Sequence, residues 1–184
     1  MNVIEYIEEK HQLVLSKEVQ DYINDLKEVE GYILPYMYED LAILKGCGKC
    51  MVFTSIEYPN TCDWVELNFG FVNIYTHHFF SRYRKRRPFY NHLNVRCNPM
   101  DKLLSVIHVL WNLKAYLTIP GEDVVGFLNT ENQAFYLCED GIIPVTFLSP
   151  TIIRCNTFIS SDLLSKEQGQ FWYNAYKDLS NQNK

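Results

Sequence analysis

The stretch that most constrains this chain lies in its middle. Asn98 precedes Pro99, and Asp101 follows two residues later. Asn is a favoured helix cap, Pro suits the first helical position, and an acid in the first turn complements the helix dipole. Leu103, Leu104, Ile107, Leu110, Trp111 and Lys114 continue as a helical stripe, which predicts an internal helix over about 99–116. Any fold must place this helix between two stretches that read as strands.

On its N-terminal side, Met51–Ile56 is apolar and β-branched and ends before Pro59. Val65, Leu67, Phe69 and Phe71 alternate with Glu66, Asn68 and Gly70, a period of two that could continue through Tyr75. Leu93–Cys97 is a further strand candidate. On the C-terminal side, Val124–Leu128, Ala134–Cys138, Ile142–Leu148 and Ile152–Ile159 read as strands, with Glu139-Asp140-Gly141 as a hairpin turn. The ends read as helices. Val3, Ile4, Tyr6 and Ile7 begin a short amphipathic segment. Ser16 caps a second one, whose apolar positions are Val19, Tyr22, Ile23, Leu26 and Val29, with Gly31 as its stop. Met37–Leu44 reads as another helical turn or two, and Asp162–Leu179 as a final helix capped by Ser161. Without a regular βαβ alternation, these elements predict an α+β fold: a central, mostly antiparallel sheet against N-terminal, internal and C-terminal helices. The chain reads as one domain over 1–180 with a frayed tail at 181–184. Its 184 residues suffice for a core without metal or disulfide staples.

The N-terminus lacks the basic and apolar regions of a secretory signal, and no run reaches 18 apolar residues. Six cysteines are too sparse for a disulfide framework. These features predict a cytoplasmic protein with reduced thiols and no membrane partner.

Charge is unevenly distributed. Residues 1–66 hold 13 acids and 5 bases, residues 67–120 one acid and 8 bases, and residues 121–184 8 acids and 4 bases. The densest basic segment is Arg82-Tyr83-Arg84-Lys85-Arg86-Arg87-Pro88-Phe89-Tyr90, inside a stretch from Leu67 to Pro99 without Asp or Glu. Guanidinium groups pair with phosphates and rings stack on unpaired bases. Arg82, Arg84, Lys85, Arg86, Arg87 and Tyr90 are therefore candidate nucleic-acid or phosphate contacts. The competing expectation is a basic loop neutralised by the acidic flanks.

Enzyme signatures are missing: no Gly-x-Ser-x-Gly, HExxH, EF-hand loop or Gly-x-Gly-x-x-Gly occurs. Ile43 and Cys50 spoil the resemblance of Gly46–Cys50 to a phosphate loop. Cys47 and Cys50 have the spacing of a zinc half-site, for which Cys62, His77, His78, His92 and Cys97 could supply further ligands, but structural or incidental thiols are expected instead. The adjacent acids Glu39-Asp40, Glu122-Asp123 and Glu139-Asp140 read as turn residues, and His108 as a core histidine of the internal helix. No cofactor is expected.

The leading expectation is a non-enzymatic protein-binding module. Its concrete form is an inhibitor or immunity-type protein that neutralises a toxin, with a basic toxin domain as partner, through an acidic, aromatic-rich surface. Glu28, Glu30, Glu39 and Asp40 would steer that partner and exposed rings would anchor it. The alternative is a nucleic-acid or nucleotide-phosphate binding protein using residues 82–90, with zinc at Cys47 and Cys50.

Overall fold

The computed structural model describes residues 2–28, 35–86, 99–118 and 133–182. Its architecture is α+β, with ten strands in one sheet. The strands are β1 (Tyr36–Tyr38), β2 (Leu41–Gly46), β3 (Lys49–Glu57), β4 (Cys62–Leu67), β5 (Val72–Tyr75), β6 (Ala115–Thr118), β7 (Gln133–Cys138), β8 (Gly141–Ser149), β9 (Ile152–Cys155) and β10 (Ile159–Ser160). Their order is β1-β2-β3-β4-β5-β9-β8-β7-β6, with β10 also pairing β8. Every ladder whose register is described is antiparallel. The helices are α1 (Val3–Leu15), α2 (Lys17–Asp25), α3 (His77–Arg86), α4 (Pro99–Asn112) and α5 (Lys166–Gln182). The chain groups into two compact units, residues 1–75 with 148–153, and residues 76–147 with 154–184.

In the first unit, α1 is longer than its opening apolar residues foretell. Asn2 caps it, and Glu5 reaches back to the Asn2 N–H in a capping box. Ser16 both ends α1 and caps α2, accepting from the Val19 N–H at 3.3 Å. Ile7 and Val14 of α1 and Val19 and Ile23 of α2 bury against one face of the strands, where Leu41, Ile43, Val52, Val65, Leu67, Val72 and Ile74 meet them. This core is aliphatic, with tyrosines only at its margin.

Three sequence expectations fail in this unit. Met37–Leu44 is not helical: it is the hairpin β1–β2, because Leu41 and Ile43 supply one buried face and Ala42 and Leu44 the other. The alternation from Val65 to Tyr75 is not one strand. Gly70, at φ 123°, turns it into the hairpin β4–β5, and Leu67 pairs with Val72 across the turn. The helix expected to stop at Gly31 ends at Asp25; Val29, Glu30 and Gly31 lie outside the described residues.

In the second unit, Thr76 caps α3 by accepting from the Phe79 N–H at 3.1 Å. Its hydroxyl also donates to the Asn156 carbonyl at 2.9 Å, so one buried group fixes both the helix start and the chain after β9. Phe79 and Tyr83 form the inner face of α3, and the Tyr83 ring lies 4.8 Å from that of Phe158. Along α4, Leu103, Val106, Ile107 and Leu110 are buried. His108 is exposed and so is not a core residue. Leu104, His108 and Trp111 form a stripe one residue out of phase with the buried one. The helix ends at Asn112, short of 116, because Ala115–Thr118 pairs with β7.

The predicted turn at Glu139-Asp140 joins β7 to β8, and Gly141 opens β8. The expected strand over 152–159 splits into β9 and β10 around Asn156, whose N–H donates to the Pro144 carbonyl at 3.0 Å. A residue's N–H and C=O lie on the same side of a strand. The donor that Pro144 lacks therefore faces this break, which lets proline sit inside β8. The final helix starts later than expected. Ser161–Leu163 forms a 3₁₀ turn, and Ser165 and Gln168 make the capping box of α5. That helix continues through Gln182, into the stretch expected to be a tail. Its Trp172, Ala175, Tyr176 and Leu179 pack on Phe135, Leu137 and Ile142. Leu93–Cys97 and Val124–Leu128 lie outside the described residues.

Candidate functional site

The first unit gathers exposed groups at one end of its hairpins. Gly46 pairs with Lys49, leaving Cys47 and Gly48 as a two-residue turn with φ of 52° and 69°. Two positive φ values in a two-residue loop are those of a type I′ turn, whose twist suits a hairpin. Leu67 pairs with Val52, so the β4–β5 turn falls at the same end of the strands. At its tip the Asn68 N–H donates to the Phe71 carbonyl at 3.1 Å. His11 Nε2, from α1, donates to the Asn68 carbonyl at 2.8 Å and holds the tip against the helix.

The rings on this turn are displayed. Phe69 is 58% and Phe71 44% exposed, although both are fully apolar side chains. Cys47, Gly48 and Lys49 are exposed on the neighbouring turn. Glu28 adds a carboxylate, its Oε2 accepting from the Gly48 N–H at 3.5 Å. This end of the unit therefore presents two phenylalanines on one turn and an acid and a lysine at another. The alternating pattern places Phe69 and Phe71 in a strand, and the signal that could have exposed them is the Gly70 between them.

The predicted acids do not form one patch. Glu39 and Asp40 lie in the β1–β2 turn, before Leu41, while Glu28 meets the chain beyond Gly46. The length of β2 separates them, about 20 Å at strand rise. Glu39 is exposed at φ 51°, and Asp40 pairs with Lys10 at 2.5 Å. Burial lowers the Lys10 ammonium's pKa, but the Asp40 carboxylate outweighs it and leaves the pKa raised. Asp40 also borders a cleft of about 460 Å³ between the start of α1 and β3, lined by Asn2, Tyr6, Thr54, Ser55 and Glu57 among others. The Tyr6 hydroxyl donates across it to the Ser55 carbonyl at 3.3 Å. Glu30 is outside the described residues.

Two buried carboxylates belong to the sheet itself. Glu66 accepts from the Tyr75 hydroxyl at 2.9 Å and from Asn73 Nδ2 at 3.4 Å. Asp63 accepts from the Tyr58 hydroxyl at 3.4 Å. Partners of this kind offset the cost of burying a charge and give these groups a structural role.

Cys47 lies in the β2–β3 turn and Cys50 near the start of β3, and burial pushes the Cys50 thiol's pKa up. Cys62 pairs opposite Glu57, at the far end of β3. His77 and His78 are exposed at the start of α3, while His92 and Cys97 fall outside the described residues. Among the described residues, no three His, Cys, Asp or Glu side chains converge to hold a metal ion. Glu139 is exposed and Asp140 half-buried in the β7–β8 turn; Glu122 and Asp123 are not among the described residues.

The basic block also takes an unexpected form. Arg82, Arg84, Lys85 and Arg86 are on α3, not in a loop. Thr76 as cap and the inward spacing of Phe79 and Tyr83 are the helix signals that the run of bases obscures. Arg86 donates to the Phe158 carbonyl. Burial first, and then repulsion from Arg82, lowers the pKa of its guanidinium, with Asp162 opposing. Arg82 and Lys85 are exposed and Arg84 is half-exposed. Arg87 and Tyr90 lie outside the described residues. No described helix is long and apolar enough to cross a membrane.

No protein-family model matches the chain, and no curated protein or solved structure matches it either.

Proposed function

We propose that this protein acts by binding another protein, as a non-enzymatic inhibitor or immunity-type module of the cytoplasm. The observation that carries this reading is the display of Phe69 and Phe71 on a turn tied down by His11. Exposed aromatic side chains on a fixed backbone lose little conformational freedom on binding and make strong anchors. The unit that bears them holds 13 acids and 5 bases, so its field attracts a basic partner. A toxin domain with a basic surface and an apolar recess is the partner of matching chemistry. Glu28 lies at the same end of the hairpins as the anchors, against the β2–β3 turn, and Glu39 steers from the opposite end. Asp40, already paired with Lys10, contributes less.

Native pull-down followed by calorimetry tests this. Capture should recover one basic protein, whose toxic activity falls to zero at a stoichiometric ratio. The F69A/F71A double variant should weaken its binding by at least about 30-fold, the scale of one strong hot spot. Rising salt should slow association more than it speeds dissociation. Undiminished binding by the folded double variant, or the absence of any captured partner, overturns the reading.

A further inference from the structure

The outer face of α3 is separate from the Phe69–Phe71 turn in both sequence and charge. Helical spacing sorts its residues into two stripes. Phe79, Tyr83 and Arg86 point inward, with Tyr83 against the Phe158 ring and Arg86 on the Phe158 carbonyl. His78, Arg82 and Lys85, at i, i+4 and i+7, are all exposed, while the half-exposed Arg84 sits on the flank of this stripe, about 100° round the helix from Lys85. Seven residues of helical rise spread this stripe over about 10 Å.

Bases crowded in this way repel one another, as Arg82 does Arg86. Pairing with the acidic flanks of the sequence would be an internal remedy. Within the unit that carries α3, and among the described residues, no carboxylate pairs with Arg82, Arg84 or Lys85. The unit that carries them holds 12 bases and 9 acids, against the acid excess of the other. We propose that this unneutralised face of α3 binds the phosphodiester backbone of nucleic acid, with Arg82, Arg84 and Lys85 as phosphate contacts and His78 at the rim.

Two observations choose this partner over others. A membrane-surface helix needs an apolar side to insert, and the apolar side of α3 is already spent on Phe158. Recognition of unstacked bases needs displayed rings, whereas Phe79 and Tyr83 are buried. What remains is a rigid row of cations, suited to phosphates and indifferent to sequence. The contacts release counterions, so affinity must fall steeply as salt rises.

Fluorescence anisotropy with a labelled 20-base-pair DNA duplex and a labelled 20-nucleotide RNA tests the proposal across about 50–200 mM salt. The full chain should bind at least one of them, with no preference among scrambled sequences. The R82A/R84A/K85A variant should lose at least about tenfold in affinity, and its log–log salt slope should flatten by two to three, roughly one per lost contact. Circular dichroism confirms that the variant is folded, and the single Arg82→Ala substitution provides a milder check with a slope change of about one. Absence of binding at the lowest salt, an unchanged slope in the folded variant, or binding to anionic lipid vesicles in place of both nucleic acids overturns it.

Discussion

The two compact units solve the same packing problem with different materials. The first seals two short helices onto a run of hairpins with aliphatic side chains and carries the acid excess. The second is knit by rings. Phe79 lies 5.0 Å from Phe80 and 5.7 Å from Tyr83, Tyr83 lies 4.8 Å from Phe158, and Trp172 stacks on Tyr176 at 6.4 Å. That unit carries the base excess. Aliphatic contacts depend on volume, while ring pairs also depend on geometry. The aromatic richness of the chain therefore has two meanings. Inside the second unit, and at Phe53 and Tyr75 of the first, rings are structural; on the β4–β5 turn of the first they are displayed.

The contrast is broken most forcefully at Gly141. A Cβ there would lie 2.1 Å from the Ile159 carbonyl oxygen, a backbone atom that cannot swing away. Gly141→Ala should destabilise the protein by about 2–4 kcal/mol, as overpacking with an unfavourable backbone does. Urea unfolding measures this, and a loss under about 1 kcal/mol would mean that β10 moves aside at little cost.

Next comes the distinction between rings and aliphatics. Phe79→Leu keeps an apolar side chain but removes the ring pairs with Phe80 and Tyr83, and should cost about 1–3 kcal/mol. Leu41→Met in the first unit, fully buried but nearly volume-conserving, should cost under about 1.5 kcal/mol. Equal costs for the two substitutions in thermal unfolding would erase the contrast.

Trp172 joins ring packing to a hydrogen bond, its Nε1–H donating to the Cys138 carbonyl at 2.9 Å. Trp172→Phe should cost about 1 kcal/mol for the lost donor, with a further loss from the smaller ring. Hydrogen exchange should quicken first at the α5 amides.

The smallest effect belongs to the first unit. The Lys10 pKa is raised above 10.5 in the folded state, so its pair with Asp40 stabilises fully below that value and fades as pH climbs through the higher folded one. Asp40→Asn should cost about 0.2–1 kcal/mol near pH 8. The difference from the unaltered protein should start to shrink above pH 10.5 and close only once pH has passed the raised folded value. A gap that persists in strongly alkaline urea titrations would show that Asp40 acts through its turn geometry instead.

Capped, strongly periodic segments are legible in the sequence. Asn98-Pro99 announces α4, Ser16 separates α1 from α2, and Glu139-Asp140-Gly141 announces the β7–β8 turn. Segments whose local pattern suits two structures are not legible. Met37–Leu44 is apolar at positions that suit either a helix or a strand buried on both faces, and only pairing with β3 decides. Val65–Tyr75 alternates smoothly through a turn, so one glycine has to outweigh ten residues of pattern. The sequence misplaces His108 because two apolar stripes on α4 differ by a single residue. The candidate surfaces are legible only as composition. Sequence locates the bases and the rings but does not foretell a helix that turns Phe79 and Tyr83 inward and Arg82 and Lys85 outward. Nor does it separate Glu28 from Glu39 and Asp40, because the strand between them sets that distance.

Pro144 also matters to the chain while it is unfolded. From Gly141 to Ser149 the sequence is uncharged and rich in β-branched residues, the kind of segment that stacks with its own copies when exposed. In the native sheet the missing donor of Pro144 faces the break between β9 and β10. In a stack of identical extended strands there is no such break, and each copy would lack a bond to its neighbour. The same residue that the native sheet tolerates would thus oppose fibril growth, in the manner of a gatekeeper.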